Sequence, residues 1–579
     1  MRYRALAALM ILGPVAQAIG SDPVMVQDFE KPGQAPTPWV VHIPNENASV
    51  QLSTDRPREG RRCLALHYQF TPGEKFEYLG VPVKVKILAR PHGLRFALRG
   101  DGSRASYGIQ LTDIRGETHQ YGQANGHGGI LDFTGWKDVA FNLDAPHETW
   151  GGDKNGRIDL PITGVVFTIG QPTDGGKNLG AKGDLAFDAL AVDSDVSAAE
   201  TLGSQVAVAS PPYGADVKGD VRVEVVAPGF KEVMARCWKG GGRFGEDSVV
   251  AMVALDPAGK GSFPFPADRY PRGPLAVRIS GRVGSLKDTC YLQLYNQGGA
   301  AWNEGLPDSP PPAAKGMTLA FADDFRGPLS ISGTDPKATY YDHKPPGGYQ
   351  DFSQHRFTSR GAPGDPFAQV DTYLRIRADD KAQSAGLLSS LKNDATGVKV
   401  SVPCYFEARF LGPNAVGAWP GFWLMTDYMA DYKLKGDKTP CDEIDIIEAY
   451  GGEGPGSPNA DDSYMITPHC WNQGDAGKAI EDKAFKGMNN PARMRKLGIP
   501  STWFEAFHTY GCKLTPTETI YYCDDIEVGR HATLPVCKEK PLFFMINLAT
   551  GGGWPVDLAR YDGRADLYVD YVRVYKQGP

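Results

Sequence analysis

The stretch Asp442-Glu-Ile-Asp-Ile-Ile-Glu-Ala-Tyr450 alternates acid with isoleucine, then breaks the alternation with a second isoleucine. Alternation of this kind reads as a β-strand, on which side chains two apart share a face. Glu443 and Asp445 therefore point one way while Ile444 and Ile446 point the other. On a regular strand Glu448 would face away from its fellow acids. A one-residue bulge at Ile446 or Ile447 restores the phase and turns Glu448 to the side of Glu443 and Asp445; bulges are over-represented beside active sites. The expectation is an acidic row in a cleft.

Two carboxylates on one face, with a third between them, suit retaining hydrolysis of a glycosidic bond. One attacks while the other shuttles the proton, and retention needs the working pair roughly 5 Å apart. Asp445 would hold the nucleophile in place. A solvated acidic strand face or a calcium site is the competing reading of the same three acids.

Further segments decide between these readings. Phe321-Ala-Asp-Asp-Phe325, Tyr405-Phe-Glu-Ala-Arg409, Trp419-Pro-Gly-Phe-Trp423, Phe507-His-Thr-Tyr-Gly511, Asn547-Leu-Ala-Thr-Gly-Gly-Gly-Trp554 and Val569-Asp-Tyr-Val-Arg-Val-Tyr575 follow in order. With the Glu-x-Asp-x-x-Glu signature in its bulged form, they make residues 317–577 resemble glycoside hydrolase family 16. The resemblance implies a concanavalin-like β-jelly-roll of two curved antiparallel sheets with a sugar-binding cleft. By position it makes Glu443 the nucleophile, Asp445 its partner and Glu448 the acid/base. His469 matches a cleft histidine on the neighbouring strand, whereas His508 reads as structural. A structural calcium on the convex side, through Asp570, is also implied, with no cofactor for catalysis.

Flat apolar ring faces stack on pyranose C–H faces, and polar neighbours take the hydroxyls. Trp419, Trp423, Trp471 and Trp554 are the stacking candidates, and Asn547 is a candidate hydroxyl ligand or internal hydrogen-bonding group. The chain departs from better-known members in three places. Asp442 stands where Gly often precedes the first acid, Tyr340–Tyr349 lacks a clear glucan-binding pattern, and Asp427–Pro440 adds a charged loop. Specificity in a sugar cleft lives mainly in loops. A β-1,3- or mixed β-1,3/1,4-glucan is therefore the default substrate, with galactan or bacterial exopolysaccharide as alternatives. Transglycosylation and glycan binding without cleavage are the rival activities.

At 579 residues the chain fits three domains after a leader. Its 69 glycines and 45 prolines suit β-turns better than helices, so the expected class is all-β throughout. A net charge of −7 without a basic tract gives no case for nucleic acid. Residues 1–18 carry Arg2 and Arg4, an apolar run and Ala16-Gln-Ala18, the pattern of an export signal too short to anchor in a membrane. The protein is expected to be secreted or periplasmic and monomeric.

Residues 24–196 read as a β-sandwich whose first and last strands pair, resembling galactose-binding-type carbohydrate-binding modules. Trp39, Trp136 and Trp150 are possible stacking residues there, with core the favoured place for Trp136, and Asp28, Glu30 and Asp188 could hold a second calcium. Residues 203–299 resemble an immunoglobulin-like spacer, in which Cys237 and Cys290 could bridge two sheets. Residues 300–316, with Pro307 and Pro310–Pro312, read as a semi-rigid linker.

Overall fold

Nearly every alternating run in the sequence is a strand in the computed structural model. The structure describes residues 23–30, 35–122, 126–196, 198–203, 205–238, 248–284, 286–307, 309–346, 352–452, 463–488, 490–552 and 554–578. The expected export signal lies outside them. Among them no helix is long and apolar enough to cross a membrane. The chain divides into two compact units, Met1–Ser204 with Val283–Leu286 and Gln205–Arg282 with Lys287–Pro579.

The first unit is a sandwich of a six-stranded and a seven-stranded sheet. Its opening strand, Val24–Gln27, pairs with its closing strand, Ala181–Asp193, as Val24 opposite Val192 and Met25 opposite Ala191. Phe96, Phe167 and Phe187 pack between the sheets. Trp136 is not in that core. It lies half-buried on the six-stranded sheet, donates to the Arg56 carbonyl and is covered by the Arg99 guanidinium. Of the acids expected at a second calcium, Glu30 accepts the Arg61 and Arg62 N–H groups, and Asp188 those of Arg58 and Glu59. Asp28 likewise accepts the N–H of Glu30.

In the second unit, residues 207–296 form a three-stranded and a five-stranded sheet. Cys237 and Cys290 are not bonded and cannot bridge the sheets. Both lie in the five-stranded sheet, on Glu232–Cys237 and Leu286–Asn296, with Gly273–Val283 between them. Two strand spacings put them about 10 Å apart, beyond the roughly 7 Å that a disulfide tolerates between Cα atoms. All nine cysteines are buried as free thiols.

This small sandwich is no free spacer, because it is docked on the C-terminal domain. Asp288 ion-pairs with Arg560 at 2.7 Å, and the Tyr213 N–H donates to Asp562 at 2.7 Å. Tyr295 joins a buried cluster with Tyr373, Leu411, Phe507 and Tyr568. The proline-rich segment is docked too, with Trp302 against Phe507 and Ala313 and Ala314 against Tyr405 and Tyr575.

The strands of the C-terminal domain form one fifteen-stranded, mostly antiparallel sheet folded into the two layers of the expected jelly-roll. One runs Ser384–Ser389, Leu542–Thr550, Ala418–Thr426, Cys441–Glu448, Ser463–Trp471. The other runs Tyr373–Asp379, Arg564–Gln577, Cys404–Leu411, His508–Leu514, Glu518–Cys523, Ile526–Ala532. Phe544 of the first meets Phe406 of the second, filling the interior. The hairpin between the last two strands turns on Asp524 and Asp525, both in the left-handed region with φ of 47° and 62°, as a two-residue turn of matching twist requires.

Candidate active site

Opposite the strand Cys441–Glu448, Phe422 pairs with Ile447 and Trp423 with Asp445, so Ile446 is the extra residue of a bulge. The same shift appears on the other side, where Asp445 faces Thr467 and Glu448 faces Met465. The bulge turns Glu448 to the face of Glu443 and Asp445. Ile444, Ile446 and Ile447 are buried, which fixes the register.

The three acids line a cleft of about 430 Å³ together with Trp419, Trp423, His469, Trp471 and Asn547. Of the sequence-derived cleft residues, only Trp554, which is 41% exposed, is not among those lining it. Glu443 accepts the Trp471 indole N–H at 3.1 Å. His469 stacks on Trp471 with ring centroids 5.0 Å apart and approaches Asp445 with Nε2 at 3.5 Å. Tyr450 stacks on Trp419 and makes a long contact to Glu448 at 3.4 Å. Asn547 is a fastener: its oxygen accepts the Trp423 indole N–H at 2.8 Å and its amide donates to the Trp419 carbonyl.

Burial raises the pKa of Asp445 well above the ordinary carboxylate range, and the charges of Glu448 and Glu443 add to it. Burial likewise raises Glu448, followed by the charge of Glu443. A row of acids in which two are held toward protonation is what proton transfer at near-neutral pH needs.

Lys344, Phe352 and Tyr450 were missed from the sequence. Phe352 packs edge-on against Trp419, and the Lys344 ammonium lies over the Trp423 ring at 5.2 Å. Tyr450 had a signal, standing two residues after Glu448, just past the end of the strand. Lys344 and Phe352 come from a segment without period, so nothing local marked them. The added segment holds the helix Met429–Lys435 and walls a smaller cavity of about 220 Å³, which shares Lys344 and Trp471 with the cleft.

His508 lies away from the cleft, buried between Asp524 and Ser501. Asp570 does not fit a calcium ion. Its carboxylate is taken by the Arg409 guanidinium and the Asn303 amide, so a cation would face a fixed positive charge.

Comparison with known proteins bears on this geometry. The chain is 29% identical over 222 residues to endo-1,3-1,4-beta-glycanase EglC of Rhizobium meliloti (strain 1021), covering 37% of this chain and 40% of that protein. It is 30% identical over 173 residues to endo-1,3-1,4-beta-glycanase ExsH of the same organism, covering 30% of each. The chain is a relative of endo-glycanases. It spans less than half the length of these curated relatives. The laminarinase structure from Flavobacterium sp. UMI-01 aligns with a TM-score of 0.32 at 20% identity, over 45% of this chain and all of that one. No family model matches.

Proposed function

We propose that this glycanase relative is an exported, retaining endo-glycosidase that hydrolyses β-linked polysaccharide, with β-1,3- or mixed β-1,3/1,4-glucan as substrate. The observation that carries the reading is the bulge at Ile446, which sets Glu443, Asp445 and Glu448 on one face of a tryptophan-lined cleft. Two of the four curated relatives, EglC and ExsH, are named endo-1,3-1,4-beta-glycanases and match at slightly higher identity than the keratan-sulfate endo-1,4-beta-galactosidase and the beta-agarase among the rest, which supports a glucan as substrate.

Glu443 attacks the anomeric carbon while Glu448, protonated through burial and its anionic neighbour, gives its proton to the leaving oxygen. The bond to the leaving sugar breaks as the Glu443 ester forms. Glu448, now a carboxylate, then takes a proton from water, whose oxygen displaces Glu443 with a second inversion. Trp471 fixes the Glu443 carboxylate through its indole N–H, and Asp445 holds it from the other side. The half-buried Trp419 ring supplies a stacking surface for the sugar, with the buried Trp423 packed into the cleft floor.

The test is incubation of the full chain with a panel of laminarin, mixed-linkage β-glucan and agarose, reading new reducing ends and product sizes. Short oligosaccharides of several lengths appearing together from a glucan fit endo-cleavage. Release of reducing ends from agarose alone would move the substrate to galactans, and no release from any member would refute hydrolysis of these glycans.

A further inference from the structure

The charged segment 427–440 is held down as a wall. Asp427 ion-pairs with Lys399 at 2.5 Å, and Asp431, in the helix Met429–Lys435, pairs with Lys540. A single residue ties the far end of the segment to the strand Ser463–Trp471. Asn472 takes the left-handed region with φ of 59°, which asparagine tolerates better than most residues, and its amide donates to the carbonyls of Asp437 at 2.7 Å and Thr439 at 3.0 Å. Tyr432 donates to the Asp437 carboxylate at 2.9 Å, closing the wall on itself.

Behind this wall lies the cavity of about 220 Å³. Register puts it to the side of the cleft. The cleft crosses four neighbouring strands, from Asn547 over Trp423 and the three acids to His469. On the catalytic strand the acids run Glu448, Asp445, Glu443, and the next residue on that face is Cys441, opposite Trp471. Cys441 and Trp471 line the cavity, as does Met425, the cross-strand partner of Glu443. The cavity therefore opens one step past Glu443 along the strand, at right angles to the direction in which the cleft runs.

Its walls suit a sugar. Trp471 lines both hollows; His469 covers one face of the indole, and the residue is still 46% exposed. Tyr428 and Tyr432, which meet edge-on at 6.2 Å, add two further rings. The second carboxylate oxygen of Asp437 and the amide oxygen of Asn472 have no partner among the described residues, so both can accept from hydroxyls. Lys344 and Asp437 give the described lining one charge of each sign, which favours a neutral ligand.

We propose that this cavity takes a single-sugar branch of a β-glucan, carried by the backbone unit whose anomeric carbon Glu443 attacks. The inference rests on the glycosidase reading of the cleft. A backbone that crosses the strands turns the side of each ring toward one strand end or the other, and a pyranose attached on the Cys441 side enters the cavity. Trp471 then meets a C–H face, and the branch hydroxyls donate to Asp437 and Asn472. The volume, about half that of the cleft, admits one ring and stops a second chain. Hydrolysis leaves the branch on the new reducing-end unit.

The test compares a β-1,3-glucan bearing single β-1,6-glucosyl branches with the same backbone after the branches are removed. With the active full chain, kcat/KM should be roughly tenfold higher on the branched polymer, the worth of one hydrogen bond to a carboxylate. Tandem mass spectrometry of borodeuteride-reduced products should find the branch on the labelled terminal unit. Asp437→Ala, which removes an acceptor, and Tyr432→Trp, which crowds the cavity from a half-buried position, should each bring the branched-to-unbranched ratio back toward one, with melting curves as a check on folding. The full chain carrying Glu443→Gln reads binding alone, and calorimetry with a branched and an unbranched oligosaccharide should show the same preference. A ratio that neither variant changes, or branches found only away from the new reducing end, overturns the cavity assignment, while cleavage of the unbranched glucan keeps the glycosidase reading. Preferential binding without cleavage of either polymer refutes that reading and keeps the cavity. Binding of neither oligosaccharide overturns both.

Discussion

Asp445 offers the sharpest test of the electrostatics, because burial and two neighbouring acids hold its carboxyl toward the protonated state. A protonated Asp445 donates to Glu443 and still presents an oxygen to His469 Nε2, which lies 3.5 Å away. Asp445→Asn preserves that arrangement: the amide N–H replaces the carboxyl O–H and the amide oxygen keeps facing the histidine. Asp445→Ala removes both contacts. A hydrogen bond to a charged group is worth about 1.5–3 kcal/mol. At about 1.36 kcal/mol per decade of rate, losing it slows the reaction by roughly 10- to 150-fold. The expected result is that Asp445→Asn keeps kcat/KM within about tenfold of the parent, while Asp445→Ala falls lower by roughly that further 10- to 150-fold factor. Initial rates of reducing-end release from soluble mixed-linkage β-glucan measure both, with melting curves as a check on folding. Equal and severe losses in the two variants would mean that the negative charge of Asp445 is what matters, and would refute the reading that it works as a neutral donor.

Glu443→Gln and Glu448→Gln should each abolish turnover without lowering the melting temperature, and azide should rescue Glu443→Ala with inverted product; near-normal activity in either Gln variant would sink the assignment. Because the folded-state pKa of Glu448 is raised, activity should persist above the ordinary carboxylate range and fall as pH climbs through the raised value, a limb read from kcat/KM against pH. The same sign governs stability. Raised carboxyls in the fold stabilise it fully below their unfolded pKa, and that stability is lost as pH rises through the folded value, so Asp445→Asn should flatten the pH dependence of the melting temperature above pH 4 or so. Arg560→Ala leaves Asp288 largely buried without its partner and should cost about 3 kcal/mol, seen as a lower melting temperature of the full chain. EDTA should leave the melting temperature unchanged, since Arg409 and Asn303 already occupy Asp570.

What could be read from the sequence was whatever leaves a local period. Acids on an otherwise apolar strand conflict with burial, and the doubled isoleucine marked where the strand had to bulge to reconcile them. The pairing of Val24–Gln27 with Ala181–Asp193 was legible for a similar reason, because two alternating runs at the ends of a sandwich need each other's edges. Docking of the middle domain was not legible. It rests on contacts such as Tyr213 to Asp562, joined across 349 positions by single polar groups that follow no repeat. The Cys237–Cys290 expectation failed because strand order, and hence which sheet each cysteine joins, is not a property of either strand alone. Trp136 failed in the opposite direction, since an indole capped by an arginine on a sheet surface has the same local sequence as one packed in a core.

The bulge does more than bring a third acid to the cleft. It gives the two working glutamates different surroundings on a single strand. Glu443, the nucleophile of the proposed mechanism, accepts the indole N–H of Trp471, which is 46% exposed. Glu448 lies against Tyr450, Trp419 and Thr467, where burial and the charge of Glu443 raise its pKa and favour the proton it gives in the proposed mechanism. On a regular strand Glu448 would sit among the side chains between the sheets, where a carboxyl has no substrate and burial makes its charge costly. The extra residue at Ile446 therefore gives the two glutamates different neighbours on one face, with Asp445 between them. Once Glu443 is esterified, its charge is gone, so Glu448 loses the repulsion that had held its proton. Its pKa then falls as it turns from acid to base, the direction that activation of water in the second step requires.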